Sequence, residues 1–295
     1  MVIFEHIAKR YGSLKAVDDL SFTVEPGVTG FLGPNGAGKT TTLRIATDLI
    51  KPDAGKVSYD GVPYSKLTKP ATHVGLALEP VVFHPGRTAM DHLMMLAPYA
   101  GVGKKRCQEV ISLVGLADAA DKRVGQFSLG MRGRLNLAAA MLGDPQILLL
   151  DEPVNGLDPE GIRWMRELLR SLAREERTIL ISSHLLSEVS QTVDRVVIIA
   201  HGKLVYQGSL AELESASTSV VLVQTSDPAA VRALAAQHGW TITVKPDQIL
   251  IEGPTAAEVG AAAFSAGIAL EGLSSQTTDL ESIFLTLTEG QGEMR

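Results

Sequence analysis

Residues 33–41, GPNGAGKTT, fit the spacing G-x-x-x-x-G-K-[ST] through Gly33, Gly38, Lys39 and Thr40. The pattern stands between an apolar run and a helical run, the order that phosphate binding requires. Glycines let backbone N–H groups face an anion, and a helix N-terminus adds positive partial charge. Lys39 reaches β- and γ-phosphate oxygens and Thr40 holds Mg²⁺, with Asn35, Gly36 and Thr41 completing the nucleotide-facing set. A second acidic signal lies in ILLLDEP (147–153), a continuous apolar run that ends in Asp151 and Glu152. In an open α/β sheet, ligands bind at the carboxyl ends of the strands, so Asp151 suits the metal of a bound nucleotide. Glu152, expected on the other side of the strand end, suits polarisation of a water toward the γ-phosphate. ISSHLL (181–186) puts His184 after the next apolar run, where an imidazole bridges γ-phosphate and attacking water. These residue types point to nucleoside triphosphate hydrolysis.

A fourth stretch, QFSLGMRGRL (126–135), starts a helical run with Ser128 and Gly130. A helix N-terminus attracts anions, yet serine there also simply caps the helix. The phosphate loop already serves its own nucleotide, so a second anion site is most useful to a nucleotide held by another chain. The residues alone leave both readings open.

The elements that must position these groups follow an α/β pattern. AVDDLSFTVEPGVTGFLGPNG reads as two strands joined by a Pro-Gly turn, the second feeding the loop. KVSYDGV, HVGLALE, QILLLDE and TILISSH read as strands, and DRVVIIAHGKLVYQGS as a hairpin. Residues from about 88 to 143 hold no convincing strand and several helical patterns, and PEGIRWMRELLRSLAREE is an amphipathic helix with Pro159 near its start. From about 216 the order becomes strand, helix, hairpin, helix, strand, helix, a small α+β unit with no cluster suited to chemistry. There is no internal repeat.

Composition narrows the classes. The 295 residues suit two domains, and 45% hydrophobic content supplies ample core. A net charge of −6, from 27 basic and 33 acidic residues, argues against binding nucleic acid by bulk charge. Cys107 is the single cysteine, so no internal disulfide forms and a reducing compartment fits. The N-terminal residues lack the pattern of a secretory signal, and no run of about 18 apolar residues spans a bilayer. The expectation is a cytoplasmic chain that works at a membrane only through another subunit.

With those residues placed, the chain resembles the ATP-binding subunit of an ABC transporter over residues 1 to about 215. Tyr11 resembles the aromatic that stacks on adenine, GPNGAGKTT the Walker A loop, and ILLLDEP the Walker B strand with its catalytic glutamate. NGLD (155–158) resembles the D-loop with Asp158, SSH the switch histidine, and FSLGMRGRL the family signature. In that signature, serine and glycine face the γ-phosphate across a head-to-tail dimer. Leu129 and Met131 replace the usual Gly and Gln, in a form similar to that of bacterial antibiotic and bacitracin exporters. The Q-loop position falls at Glu79, which can contact Mg²⁺ or its water but cannot donate as an amide does.

The resemblance implies a P-loop ABC ATPase core: a RecA-like sheet, an antiparallel β subdomain and a helical signature subdomain at about 85–143. A small C-terminal α+β accessory domain, 216–295, would follow the 1–215 cassette. Also implied are ATP and Mg²⁺, a second copy of the chain, integral membrane permease subunits and no nucleic acid. The place is the cytoplasmic face of the cell membrane, and the work is export of a drug, antibiotic or lipid-like substrate. Residues 80–99 fall where a permease helix docks, with His84, Met90, Met94, Met95 and Tyr99 as candidates, although a Met run at helical spacing reads more readily as core. Ile283, Phe284 and Leu287 read as core rather than dimer contact. Soluble ABC ATPases of ribosomes or DNA are the alternative class, but they carry two cassettes or long coiled coils. P-loop kinases lack a Ser-x-Gly helix start coupled to DEP, NGLD and His.

Overall fold

Val2, Phe4 and Ile7 are buried along β1 (Val2–Tyr11), which pairs antiparallel with β2 (Leu14–Val24). The chain then enters a second sheet through β3 (Gly27–Leu32), which leads into the glycine-rich loop and α1 (Lys39–Ala46). β4 (Ala54–Tyr59) returns to the other edge of β1, giving the order β2-β1-β4. In this computed structural model the described residues are 1–80, 82–215, 219–245, 248–277 and 280–289.

The central sheet adds β5 (Val74–Ala77), β6 (Ile147–Asp151), β7 (Thr178–Ser183), β8 (Arg195–Ala200) and β9 (Lys203–Ser209), in the order β5-β6-β7-β3-β8-β9. Neighbours pair in parallel except β9, which runs antiparallel to β8 as the expected hairpin. β6 and β7 are buried at every residue, as strands covered on both faces must be. Phe22 joins the two sheets: its ring lies 4.1 Å from that of Phe4 and 5.2 Å from that of Phe31.

Three helices fill the stretch expected to be helical: α2 (Ala89–Ala100), α3 (Lys104–Leu113) and α4 (Leu129–Ala140). Local chemistry sets their limits. Thr88 and Asp91 form a reciprocal capping box before α2, Gly101 ends it in the left-handed conformation, and Ser128 caps α4. α5 (Pro159–Arg174) buries Met165, Leu168, Leu169 and Leu172, a helical stripe, and starts at Pro159 with Asp158 as its cap. The short helices α6 (Leu186–Val189) and α7 (Leu210–Ser215) follow β7 and β9. No helix among the described residues is long and apolar enough to cross a membrane.

The chain divides into two compact units, Met1–Leu210 with the terminal stretch from Leu287, and Ala211–Thr286. Residue 216, where the second domain was expected to begin, lies outside the described residues. The second unit runs β10 (Ser219–Gln224), α8 (Pro228–His238), β11 (Thr241–Lys245), β12 (Gln248–Glu252), α9 (Ala256–Ser265) and β13 (Gly272–Thr277), and ends within α10 (Leu280–Glu289) at Thr286. Its antiparallel sheet has the order β11-β12-β10-β13, a split β-α-β arrangement. Val221, Val223, Ile249 and Ile251 form the core of that unit with Val231 and Val259. Phe284 is buried, as the core reading expects.

The two strands read on either side of the Pro-Gly turn are present as β2 and β3, in different sheets, and β1 is a strand beyond those read from the sequence. The interlocking phenylalanines give a direct test of that architecture. Phe31→Ala is expected to lower the unfolding free energy by about 3–5 kcal/mol in chemical denaturation; a loss under about 1 kcal/mol would mean that the two sheets do not share this core.

Candidate functional site

The parallel sheet brings the chemical groups to one edge. The loop after β3 ends at Gly38, whose φ of 106° is open to glycine and strained for other residues. A side chain there would also collide with the Ala16 carbonyl. Lys39 opens α1, is almost completely buried, and donates to the carbonyl oxygens of Gly33 at 2.6 Å and Pro34 at 3.4 Å. Burial lowers its pKa from the usual lysine value, an effect that neighbouring Glu152 opposes.

Asp151 ends β6 and is buried, and both of its oxygens are paired. Thr40 donates to one at 2.8 Å and Ser182 to the other at 2.6 Å. Strand register sets the second bond, since Asp151 and Ser182 are partners across β6 and β7. A hydroxyl and a carboxylate oxygen converging beside the phosphate loop are the hard donors that Mg²⁺ accepts, so the residues fit such an ion.

Glu152 departs from expectation. Its φ of 48° takes it out of strand geometry, so side-chain alternation no longer applies and its carboxylate turns toward the loop. It lies 3.6 Å from the Lys39 ammonium and 3.0 Å from His184 Nδ1. The Glu152 amide donates to Ser182 Oγ at 2.9 Å, so one serine holds both acidic residues in place. Sequence reasoning quoted Ser182 without giving it a role; the available signal was a pair of serines ending an otherwise aliphatic strand. Ser183 Oγ donates to Glu188 at 2.8 Å, and ligand atoms of Glu152, His184 and Glu188 lie within 4.8 Å of one another.

Tyr11, Asn35, Gly36, Gly38, Lys39, Thr40, Thr41, Glu79, Asp151 and Glu152 line one cavity of about 460 Å³. Tyr11 is half-exposed at its rim, with Lys9 Nζ 5.9 Å from the ring centre. Burial raises the Glu79 pKa above the usual carboxylate range. The long hydrogen bond from Asn155, at 3.5 Å, works against that shift, while the charges of Asp151 and Glu152 add to it.

Ser128, Gly130 and Asp158 do not enter this cavity. They line another of about 460 Å³, formed by the start of α4, the 156–158 turn and the 115–122 segment. Ser128 Oγ accepts from the Met131 amide at 3.2 Å and Asp158 Oδ1 from the Gly161 amide at 2.8 Å, so both cap helices. On α2 the core reading is corrected for Met94 and Met95, while Met90 is half-buried. Leu93 and Ala97 take the buried stripe, while Met94, Met95 and Tyr99 are exposed, with His84 exposed before the helix. Arg87 donates to Met95 Sδ at 2.7 Å.

Known proteins similar to this chain are many. A family model described as ABC transporter matches residues 17–155, and one described as a domain of unknown function matches residues 219–281. The chain is 44% identical over 236 residues to the bacitracin transport ATP-binding protein BcrA of Bacillus licheniformis, covering 79% of this chain and 77% of that protein. It is 38% identical to the Nod factor export ATP-binding protein I of Burkholderia orbicola, covering 78% of each. Among solved structures, a dimeric bacterial ABC transporter cassette superposes with a TM-score of 0.66 at 23% identity, over 71% of this chain and 99% of that one. An ATP-binding subunit of an ABC transporter gives 0.66 at 24% identity, over 73% of this chain and 92% of its own.

Glu79 supplies the test of the site's electrostatics. Its raised pKa means that stability is fully present below the unfolded glutamate value and falls as pH rises through the folded one. Glu79→Gln is therefore expected to raise the thermal midpoint at pH 8, with the gain vanishing near pH 4. A loss at pH 8, or a gain that ignores pH, would contradict that environment.

Proposed function

This chain belongs to the ABC transporter ATP-binding family, and from that premise we propose that it binds and hydrolyses ATP to drive a membrane exporter through separate permease subunits. The observation that supports the reading is the convergence of the glycine-rich loop, Asp151, Glu152 and His184 at one sheet edge. In this account residues 1–215 form the cassette and 216–295 an accessory domain. Tyr11 stacks on the adenine. The loop from Gly33 to Thr41 wraps the phosphates with backbone N–H groups, and Lys39 exchanges its carbonyl partners for β- and γ-phosphate oxygens. Thr40 and Asp151 hold Mg²⁺, with Glu79 beside them; when bound, the ion neutralises charge on the phosphates.

Glu152 takes a proton from the attacking water as its oxygen approaches the γ-phosphorus, and the γ-phosphate leaves ADP. His184, hydrogen-bonded to Glu152 at 3.0 Å, orients that carboxylate and contacts the γ-phosphate. Ser128 and Gly130 serve the nucleotide of a second copy, arranged head to tail, and Asp158 couples the two sites. The placement of these three residues around a separate cavity supports this assignment. Loss of the γ-phosphate then separates the two copies and resets the permease.

The exposed Met94, Met95 and Tyr99 of α2 form the surface proposed for the permease, placing the chain on the cytoplasmic face of the membrane. The names of the relatives, bacitracin transport and Nod factor export, support an antibiotic or lipid-like substrate moved outward.

Glu152→Gln tests the chemical step. The variant is expected to bind ATP as the parent does while turnover falls roughly 10²–10⁴-fold. Unchanged turnover would remove Glu152 from the proton-transfer role.

A further inference from the structure

Leu129 stands where the family signature usually has glycine, and it is 59% exposed at the first position of α4. Its side chain nevertheless has a defined seat. It lies across Gly156, where an added Cβ would overlap Leu129 Cδ2 and stand 2.7 Å from its Cγ. The contact is returned from the other side. Leu157 lies against Gly130, its Cδ2 3.2 Å from where a Cβ would be, and its own Cβ is 3.2 Å from the Cβ position of Gly161. Two leucines thus cross between the start of α4 and the 156–158 turn, each seated at a glycine of the other segment.

We propose that Leu129 is a positioning residue that fastens the start of α4 to the 155–158 turn, so that Ser128, Gly130 and Asp158 meet a partner-held nucleotide as one rigid body. The proposal rests on the dimer reading above. All three of those residues line the cavity that the two leucines border. A glycine at position 129 would leave the helix start and the turn unlinked on this side, with more backbone freedom to lose on assembly. The leucine variant of the signature is, on this view, a device for rigidity and not an eroded motif. It carries a condition on a second position. Gly156 must lack a side chain both because its φ is 72° and because Leu129 occupies the space.

Those two reasons can be separated, because backbone strain remains when Leu129 is shortened while the collision does not. The readout is the protein concentration at half-maximal ATP-induced dimer, by light scattering on the full chain carrying Glu152→Gln. Leu129→Ala is expected to raise that concentration about fivefold to tenfold, and Leu129→Met to retain the parent value. Gly156→Ala is expected to weaken dimerisation, and Leu129→Ala with Gly156→Ala to be no weaker than Gly156→Ala alone. Parent-like dimerisation of Leu129→Ala, or losses that multiply in the double variant, would overturn the proposal. A parent chain that stays monomeric with ATP would overturn the dimer reading and this proposal with it, and that outcome is visible before any variant of Leu129 is made.

Discussion

A buried carboxylate must be paired or it costs several kcal/mol, and Asp151 is buried at the carboxyl end of β6. Its two oxygens take hydroxyl donors from two directions, Thr40 at the start of α1 and Ser182 near the end of β7. These bonds require that β6 lie beside β7 and that β3 deliver its loop on the same edge, which is the observed strand order. Ser182 then accepts from the Glu152 amide, so the conformation that turns Glu152 inward depends on the same serine. The neutral partners of Asp151 are also the groups a cation needs around it. What satisfies the carboxylate in the fold thus prepares it for its chemistry.

The parts legible in the sequence are those where chemistry restricts backbone or residue type. The glycine-rich loop needs Gly38 at positive φ, and no other residue enters that position without strain, so its spacing survives as text. Buried parallel strands need unbroken aliphatic runs, which made β6 and β7 plain. β1 was hidden because bulges between Phe4, Ile7 and Lys9 break its alternation, and charged residues fall between the buried ones. The inward turn of Glu152 was hidden as well. Periodicity assumes strand geometry, and one residue at positive φ cancels it. Ser182 was legible only as a serine ending an aliphatic strand; its role exists only through a neighbour on another strand.

The α2 methionines show a limit of helical spacing as a guide. Periodicity indicates which residues share a face but not which face is covered, and Leu93 and Ala97 took the buried one. The second unit shows the reverse case. Its β-α-β-β-α-β order was readable from alternating runs, and its core of Val221, Val223, Ile249 and Ile251 follows that alternation.

The two cavities divide the site residues of one chain into halves, one with Lys39 and Glu152, the other with Ser128 and Asp158. If each catalytic site combines one half from each of two copies, complementary defects must rescue each other. The most direct measurement is ATP turnover in a mixture of Lys39→Ala and Ser128→Arg chains, each inactive alone. A mixed dimer holds one wholly native site, so turnover is expected to recover to a substantial fraction of the parent rate, rising as the two chains approach equal amounts. A mixture as inactive as its components, or Ser128→Arg chains that turn over like the parent, would contradict the shared site.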